Sequence, residues 1–542
     1  MAKGYRLVDR DQQFLLPENM RDWLPASDPV WLVISVVAGL DTAVLHARRR
    51  TGGSGRAGYD PDMLLTLLIW AWAHGQRSSR VIERLCQRDV AFRIICAGDG
   101  PDHVTISRFR AEAAEAMESL FTQVLMLCAR LGMGQVGVVA LDSVKIGADA
   151  SLAANRTETG LRELAAAAAA EHAVTDAAED ALYGLDRRGD ELPDELLDPR
   201  SRAARIAQAL QELQADAAAR EQAAERRGQR RKRAQARRQA ALEASGRQRK
   251  QRGGAPIGRP PTEIRVEVLT ENLAAARARQ QAKIDRWHAG GKRGYPPRPV
   301  EEAAKVKRVK AALDRAIAER AAHAQLQASR AVKTTGREPK RNITDPQSRM
   351  MPLRGGGWVQ GYNCQAVTSR DGLIIATSVG NNPSDATAFI TAMDKAVAAA
   401  ALINAHRPSA AAPAGIGVLL ADAGYLSEDN LSAPGPDRLI AIGKSHDLAV
   451  AALTDPATGP PPPDASPIEA MAHRLRTPDG HALYKQRSHI AETPFAHAKH
   501  NLGFRRFTSR GITRATAEFS FHALVHNLFK AISTDALAPA PS

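Results

Sequence analysis

The stretch GVVALDSVKIG, residues 137–147, is an apolar, β-branched run that contains one acidic residue, Asp142. Such a run is typical of a buried β-strand. A second run of this kind, IGVLLAD, ends in Asp422. Ligands of open α/β sheets gather at the carboxyl ends of strands, and a buried Asp there is costly unless it is paired or binds a cation. The two runs therefore predict an α/β domain with Asp142 and Asp422 at its functional edge.

A third carboxylate lies in YKQRSHIAETPFAHAKHNLGFRRF, residues 484–507, which contains five Lys or Arg, three His and a single acidic residue, Glu492. A solvated basic helix face is the default interpretation. Together with the two aspartates, however, Glu492 completes a set of oxygen ligands of the kind that Mg²⁺ prefers. A pair of such ions can clamp the attacking and leaving oxygens of a phosphoryl displacement.

The basic residues near Glu492 fit the same chemistry. On one continuous helix, Tyr484, Arg487, Glu492 and Lys499 fall within an arc of about 140°. The three cationic or phenolic side chains are therefore predicted to hold a DNA phosphate beside the metal. Pro494 predicts a kink, or a new helix capped by Thr493, because proline does not fit deep in a straight helix. The histidines of this stretch lack a second ligand cluster and are interpreted as phosphate contacts or surface residues.

Composition indicates a nucleic-acid partner. The chain has 542 residues, 44% of them hydrophobic, a net charge of +15 and a pI of about 9.9, and such an excess of positive charge favours a polyanion.

The four cysteines are scattered and predict neither a zinc ribbon nor a disulfide framework. The N-terminus lacks a signal-peptide core, and the longest apolar runs, Pro29–Leu40 and Met63–Ala73, are too short to span a bilayer. We therefore expect a cytosolic protein with no membrane partner.

Residues 1 to about 130 have helical patterns, as in Ser78–Cys96. A further helix is predicted to begin after Pro101–Asp102 and to run through Leu131. Its first turns have a polar, basic face, which suits a helix in a DNA groove. An ordinary capped amphipathic helix explains the pattern equally well. The residues of this face are Thr105, Ser107, Arg108 and Arg110.

Strand patterns are absent from the next 190 residues or so. Leu161–Gln251 and Glu263–Ala328 are rich in Ala, Arg, Gln and Glu, which favours long helices. Between Arg220 and Arg252 there are thirteen Lys or Arg and three Glu. We expect a solvated, coiled-coil-like hairpin that lies near DNA because of its charge.

Strand patterns return at Gly361. GYNCQAVTS and LIIATSVG are separated by a hairpin signal with Asp371 and Gly372 at its turn. A helix is predicted over Asn382–Ile403, capped by Ser384 or Asp385, and a further strand over Arg438–Gly443. Without the helical insertion, the chain describes a compact mixed α/β domain.

These features resemble the DDE transposases of bacterial insertion sequences, which have a Tyr-Arg-Glu-Lys signature. Here the signature is Tyr484, Arg487, Glu492 and Lys499, with four residues between Arg and Glu where the usual form has three. LDSVKIGADAS, GYNCQAV, LADAGYLSEDN and FHALVHNLFK resemble further blocks of that family, as does the N-terminal region from YDPDMLL through PDHVTISRFR.

The resemblance implies an RNase H-like catalytic domain in which Asp142, Asp422 and Glu492 hold two Mg²⁺ ions, with Mn²⁺ as a substitute. It implies hydrolysis that frees a 3′-OH, followed by attack of that hydroxyl on target DNA. The implied partners are double-stranded DNA, as terminal inverted repeats and target, and further copies of the chain in a dimer or larger assembly on DNA. The implied location is the cytoplasm, in association with the nucleoid. Two alternatives remain open: a catalytically inactive, transposase-derived DNA-binding protein, and a metal-dependent nuclease of the same fold.

The predicted organisation has five segments. An all-α DNA-binding domain covers residues 1–135, and the first catalytic strand lies in 136–155. The insertion covers 156–340, the rest of the RNase H-like domain covers 341–535, and a disordered tail covers 536–542.

Overall fold

The computed structural model of the chain describes residues 19–48, 58–167, 170, 202–251, 264–291, 295–335, 338–353, 355–408, 415–443, 445–463 and 465–534. The predicted tail lies outside the described residues, as do the first 18 residues and residues 171–201. Two compact units are present, Met1–Ala209 with Arg341–Ser542, and Leu210–Lys340.

The N-terminal part of the first unit is helical, as predicted. Its helices are α1 (Pro29–Ala38), α2 (Ala43–His46), α3 (Pro61–Ala73), α4 (Ser79–Arg88), α5 (Val90–Ile95), α6 (His103–Glu112) and α7 (Met117–Arg130). The predicted helix Ser78–Cys96 is divided because Asp89 has an extended backbone and its carboxylate accepts hydrogen bonds from the Ala91 and Phe92 amides. The helix predicted through Leu131 is likewise interrupted, by a 3₁₀ turn over Ala113–Ala116.

A mixed sheet forms the centre of the first unit. Its strands are β1 (Val138–Gly147), β4 (Arg349–Pro352), β5 (Trp358–Ser369), β6 (Ile374–Gly380), β7 (Val418–Ala421) and β8 (Asp437–Ile440). The order is β4-β5-β1-β7-β8, and β6 also pairs with β5. β5 is antiparallel to β1, whereas β7 and β8 continue the sheet in parallel. Two short strands, β2 (Asn155–Thr157) and β3 (Lys340–Asn342), form a separate sheet.

The predicted hairpin joins β5 and β6. Gly372 has a φ of +88°, which glycine adopts without strain. The adjacent Asp371 carboxylate accepts hydrogen bonds from the Gly134 and Gln135 amides at 2.7 and 2.9 Å. The turn therefore also fixes the chain that enters β1.

Helices follow the strands of the second half of this unit. They are α11 (Phe389–His406), α12 (Glu428–Ser432), α13 (Ser445–Thr454), α14 (Pro467–Arg476), α15 (Pro478–Ala496) and α16 (Ile512–Ser533). By length and composition the segment Ala386–His406 could cross a membrane. Phe389, Met393 and Ile403 of this segment are nevertheless fully buried in the hydrophobic core, so it is a core helix of the unit.

The second unit contains helices α9 (Arg265–Ala289), α10 (Ala304–Thr335) and most of α8 (Arg202–Gln251). α9 and α10 bury a small core that includes Leu273, Val306 and Leu313. The Glu267 carboxylate accepts hydrogen bonds from Arg238 of α8 and Arg320 of α10. The described residues of this unit form three helices where long helices were expected, and contacts place the first residues of α8, up to Ala209, in the other unit.

The predicted boundary at residue 135 does not separate two cores. One continuous hydrophobic cluster includes residues of α1–α7, of the sheet and of α16. The Trp72 ring of α3, for example, lies 5.7 Å from the Phe504 ring and 5.0 Å from the Phe521 ring. The N-terminal helices and the sheet therefore bury apolar surface against each other.

Arg77 reinforces this shared core. Its guanidinium donates hydrogen bonds to the Arg506 carbonyl at 2.8 Å and the Gly503 carbonyl at 2.7 Å, and lies 5.0 Å from the centre of the Phe504 ring. We predict that Arg77→Met lowers the free energy of unfolding by about 1.5 kcal/mol, the lower end of the range for hydrogen bonds from charged donors. Chemical denaturation measures this change. The exposed Arg80 is the matched control. The prediction is contradicted if Arg77→Met lowers the free energy of unfolding no more than Arg80→Met does.

Candidate functional site

The pairing of β1 with β7 brings two predicted residues together. The strands are parallel, with Val138 opposite Val418 and Leu141 opposite Ala421. Asp142 and Asp422 follow at the next position of each chain, and neighbouring strands lie about 4.8 Å apart. The register therefore places these two residues side by side. Asp142 does not end its strand, however, because β1 continues to Gly147 in pairing with β5.

Helix α15 covers the face of the sheet to which Asp142 belongs. Tyr484 and Ile490 of this helix pack in one cluster with Ala140 and Leu420. The Tyr484 hydroxyl donates to the Ala421 carbonyl at 3.4 Å. These contacts place the basic helix directly over the end of β7.

Arg487 lies between two of the predicted carboxylates. Its Nη1 is 3.7 Å from Asp142 Oδ2, and its Nη2 is 3.7 Å from Glu492 Oε1. The Arg487 side chain is only 8% exposed, whereas that of Glu492 is 59% exposed. The structure thus brings Asp142, Asp422, Arg487 and Glu492 into one charged cluster, with Glu492 at its open side.

The charges of this cluster act on one another. Burial works to lower the pKa of the Arg487 guanidinium, but Asp142, then Tyr484, Asp422 and Glu492, raise it above its ordinary value. Burial is also the main reason why the pKa of the Tyr484 hydroxyl is raised. Arg487 is therefore held in its charged form by the carboxylates around it.

Lys499 lies farther along the same polypeptide. α15 continues through Pro494 into a π-helical turn over His497–Asn501. No new helix begins at Thr493, whose hydroxyl instead donates to the His489 carbonyl at 2.7 Å. The wider turn changes the predicted helical spacing of Lys499.

A second polar cluster, which the sequence did not reveal, lies on the opposite face of β1. Lys145 Nζ lies 2.7 Å from Asp385 Oδ1, and both side chains are largely buried. The Asn363 amide donates to the same oxygen at 2.8 Å. Burial works to raise the pKa of Asp385, but the bonds from Lys145 and Asn363 lower it below its ordinary value. Asp385 had been predicted as a helix cap, a role in which its side chain makes no bond.

Gly424 connects the two clusters. A β-carbon at this position would lie 2.9 Å from Asp422 Oδ1 and 3.0 Å from Asp385 Oδ2. Both carboxylates therefore lie against the glycine. The backbone amide of Gly424 donates a hydrogen bond to Asp422 Oδ1. Burial, followed by the charges of Asp385, Asp142 and Asp422, raises the pKa of the neighbouring Tyr425 hydroxyl. Asp385 is thus a fourth carboxylate at this edge of the sheet.

The N-terminal residues predicted to contact DNA have different environments. The Arg110 guanidinium donates to the Arg77 carbonyl at 2.9 Å and is half-buried, so it contributes to the interior. Thr105 is engaged in the cap of α6, where its amide donates to the Asp102 carboxylate at 2.8 Å. Arg108 is exposed. Of these three side chains, Arg108 is the one directed to solvent.

Asp142, Asp422 and Glu492 are called the triad below. Their donor chemistry fits a divalent cation, since carboxylate oxygens are the ligands that Mg²⁺ prefers. Arg487 Nη1 is buried at this site with no hydrogen-bond partner among the described residues, and an anionic oxygen would satisfy this donor. Within the described residues, the ligand atoms that converge to within 4.8 Å belong to another group, His46, Asp60 and Asp62 on the surface. The carboxylates of Asp142 and Glu492 each approach the Arg487 guanidinium, at 3.7 Å.

Two segments of the chain match models of known families. Residues 18–112 match the model of a transposase domain, DUF772, and residues 464–532 match a transposase DDE domain. The second match includes Tyr484, Arg487, Glu492 and Lys499, whereas Asp142 and Asp422 lie outside it. No curated protein and no solved structure matches the chain. Two segments of the chain are therefore similar to transposase domains, and similarity to a DDE domain implies an RNase H-like fold.

We predict that Gly424→Ala reduces the metal-dependent DNA cleavage proposed below at least tenfold, because the added methyl group must displace the Asp422 or Asp385 carboxylate. The backbone at Gly424 needs no glycine, so the effect on thermal stability should be small. A cleavage assay alongside a melting curve measures both. Gly443→Ala is the control, since Gly443 follows the neighbouring strand and has open space around it. Equal cleavage by the two variants contradicts the prediction.

Proposed function

We propose that this chain is the transposase of an insertion sequence, which binds the ends of the element and catalyses phosphodiester hydrolysis followed by strand transfer. The observation that carries the proposal is the register of β1 and β7. It sets Asp142 beside Asp422 under the helix that contains Arg487 and Glu492. That helix belongs to the segment that matches a DDE domain.

In this proposal Asp142, Asp422 and Glu492 hold two Mg²⁺ ions, or Mn²⁺ in their place. When bound, such ions lower the pKa of water and stabilise the charge that develops on the phosphate. Asp142, which is buried, and Asp422, which is partly buried, provide the ligands on the sheet. Glu492, which is more exposed, closes the site from the solvent side.

The reaction needs no covalent protein intermediate. In the first step a water oxygen bonds to phosphorus at the end of the element, and the P–O3′ bond breaks to give a free 3′-OH and a 5′-phosphate. In the second step that hydroxyl attacks a target phosphodiester and releases the 3′-OH of the target strand. Arg487, Tyr484 and Lys499 orient the phosphates, because positioning and charge stabilisation provide most of the catalysis in such transfers.

The proposed partners are double-stranded DNA, as terminal inverted repeats and as target, and other copies of the chain in the DNA-bound assembly. Arg108 is proposed to contact the element ends directly. Thr105, in the cap of α6, and the half-buried Arg110 are proposed to hold that helix in place. The proposed location is the cytoplasm, at the nucleoid.

The deciding experiment is an in vitro strand-transfer assay. The chain is incubated with Mg²⁺, supercoiled target DNA and labelled fragments that contain the inverted repeats flanking its gene. Joined products support a transposase. Cleaved but unjoined ends indicate a nuclease of the same fold, and binding without cleavage indicates an inactive descendant.

We predict that Asp142→Asn, Asp422→Asn and Glu492→Gln each abolish cleavage and leave DNA binding nearly unchanged. Each substitution keeps the side-chain volume but removes a charge that is proposed to bind metal. Gel-shift and cleavage assays on one preparation measure the two properties. Asp479→Asn, an exposed residue at the start of α15, serves as the control. A triad variant with near-wild-type cleavage excludes its residue from the ligand set.

We also predict that α8 binds duplex DNA regardless of sequence. Four exposed cations of this helix are Arg226, Arg227, Lys232 and Arg233. Changing all four to Gln should make the negative slope of log association constant against log salt concentration shallower by roughly 3 to 4, since each phosphate contact contributes about 0.9. Fluorescence anisotropy of the full chain at several salt concentrations measures the slope. Changing the exposed Gln222, Gln229 and Gln235 to Ala is the control. An unchanged slope assigns this helix a role other than DNA binding.

A further inference from the structure

Arg487 occupies an unusual position for a residue proposed to contact DNA. It is almost fully buried beneath the cluster, and its two terminal nitrogens are directed to different carboxylates, those of Asp142 and Glu492. A guanidinium proposed to bind a phosphate of the substrate should be accessible from solvent. In this structure the anions that it faces belong to the protein itself.

The contacts of Arg487 with the two carboxylates are electrostatic more than directional. Both distances to carboxylate oxygens are 3.7 Å, which is longer than a hydrogen bond. Nη1 makes no hydrogen bond to any described residue. Charge therefore holds the guanidinium near Asp142 and Glu492, and moving it away breaks no hydrogen bond at Nη1.

The carboxylates need such a counter-ion. Asp142 is buried, with an 11% exposed side chain, and the strand register keeps Asp422 beside it. Like charges placed together at low exposure are unfavourable unless a cation compensates them. Lys145 is engaged on the opposite face of β1 by Asp385, whereas Arg487 faces the triad.

We infer that Arg487 is a built-in substitute for the divalent cation, which neutralises the triad in the metal-free protein and is displaced when metal binds. The inference rests on the proposed function, because it takes Asp142, Asp422 and Glu492 as the metal ligands. Displacement lowers the affinity for metal in the absence of DNA. The displaced guanidinium is then a planar, bidentate donor that can bind a DNA phosphate. Metal binding and DNA binding are therefore coupled.

The first test measures Mn²⁺ binding to the full chain without DNA, by calorimetry. Arg487→Gln should bind Mn²⁺ about tenfold more tightly than the wild type, because no guanidinium has to move. Lys485→Gln removes an exposed charge from the same helix and should change the affinity less than twofold. This control separates displacement from the general effect of a lost positive charge.

The second test requires no substitution and therefore does not depend on the folding of a variant. Phenylglyoxal modifies accessible arginines, and peptide mass spectrometry reports its reaction at Arg487. In the wild-type chain Arg487 should be protected without metal and should become several-fold more reactive with saturating Mn²⁺. In Asp142→Asn the response to Mn²⁺ should be lost.

The outcomes separate the two proposals. If Mn²⁺ binds at a site that depends on Asp142 but Arg487→Gln binds it no more tightly, or if Mn²⁺ leaves Arg487 protected, the displacement inference is overturned and the proposed metal site survives. If Mn²⁺ binding is indifferent to both Asp142→Asn and Glu492→Gln, the metal site fails, and the inference fails with it.

Discussion

Parallel hydrogen bonding between β1 and β7 fixes the groups of the candidate site. A slip of one residue would turn every side chain of a strand to the other face of the sheet, and Asp142 would then lie beside Ala421 instead of Asp422. The apolar residues on both faces oppose such a slip, because Leu141 and Leu419 contribute to one core cluster and Ala140 and Leu420 to the other. The same packing that stabilises the sheet thus keeps the two aspartates adjacent.

β1 separates two charged layers. Asp142 faces α15 and its arginine, whereas Lys145 belongs to the opposite face with Asp385 and Asn363. Each layer contains a buried cation matched to carboxylates, and Gly424 is the point at which Asp422 and Asp385 approach one another. A disturbance on one face of the sheet can therefore reach the carboxylates of the other face through a single residue.

The sequence predicted the parts of the fold and site that depend on local patterns. Apolar runs identified β1 and β7 with their aspartates, and the Asp371-Gly372 turn identified the hairpin. Lys145 and Asp385 were missed because 240 residues separate them and only the completed sheet brings them together. The π turn near Lys499 was not predicted either, since helical periodicity assumes a regular backbone. The position of Arg110 in the interior was not predicted either, and neither was the core shared by the N-terminal helices and the sheet. Both depend on tertiary packing, which the pattern of a single helix does not reveal.

The core that α1–α7 share with the sheet and α16 limits how this lineage can diversify. In proteins whose N-terminal domain folds independently, recombination can replace that domain as a unit. Here a replacement would have to match the buried faces of Trp72 and its neighbours as well as the hydrogen-bonding position of Arg77. Exposed positions such as Arg108 can therefore change one at a time, while the buried face of these helices and the sheet must change together.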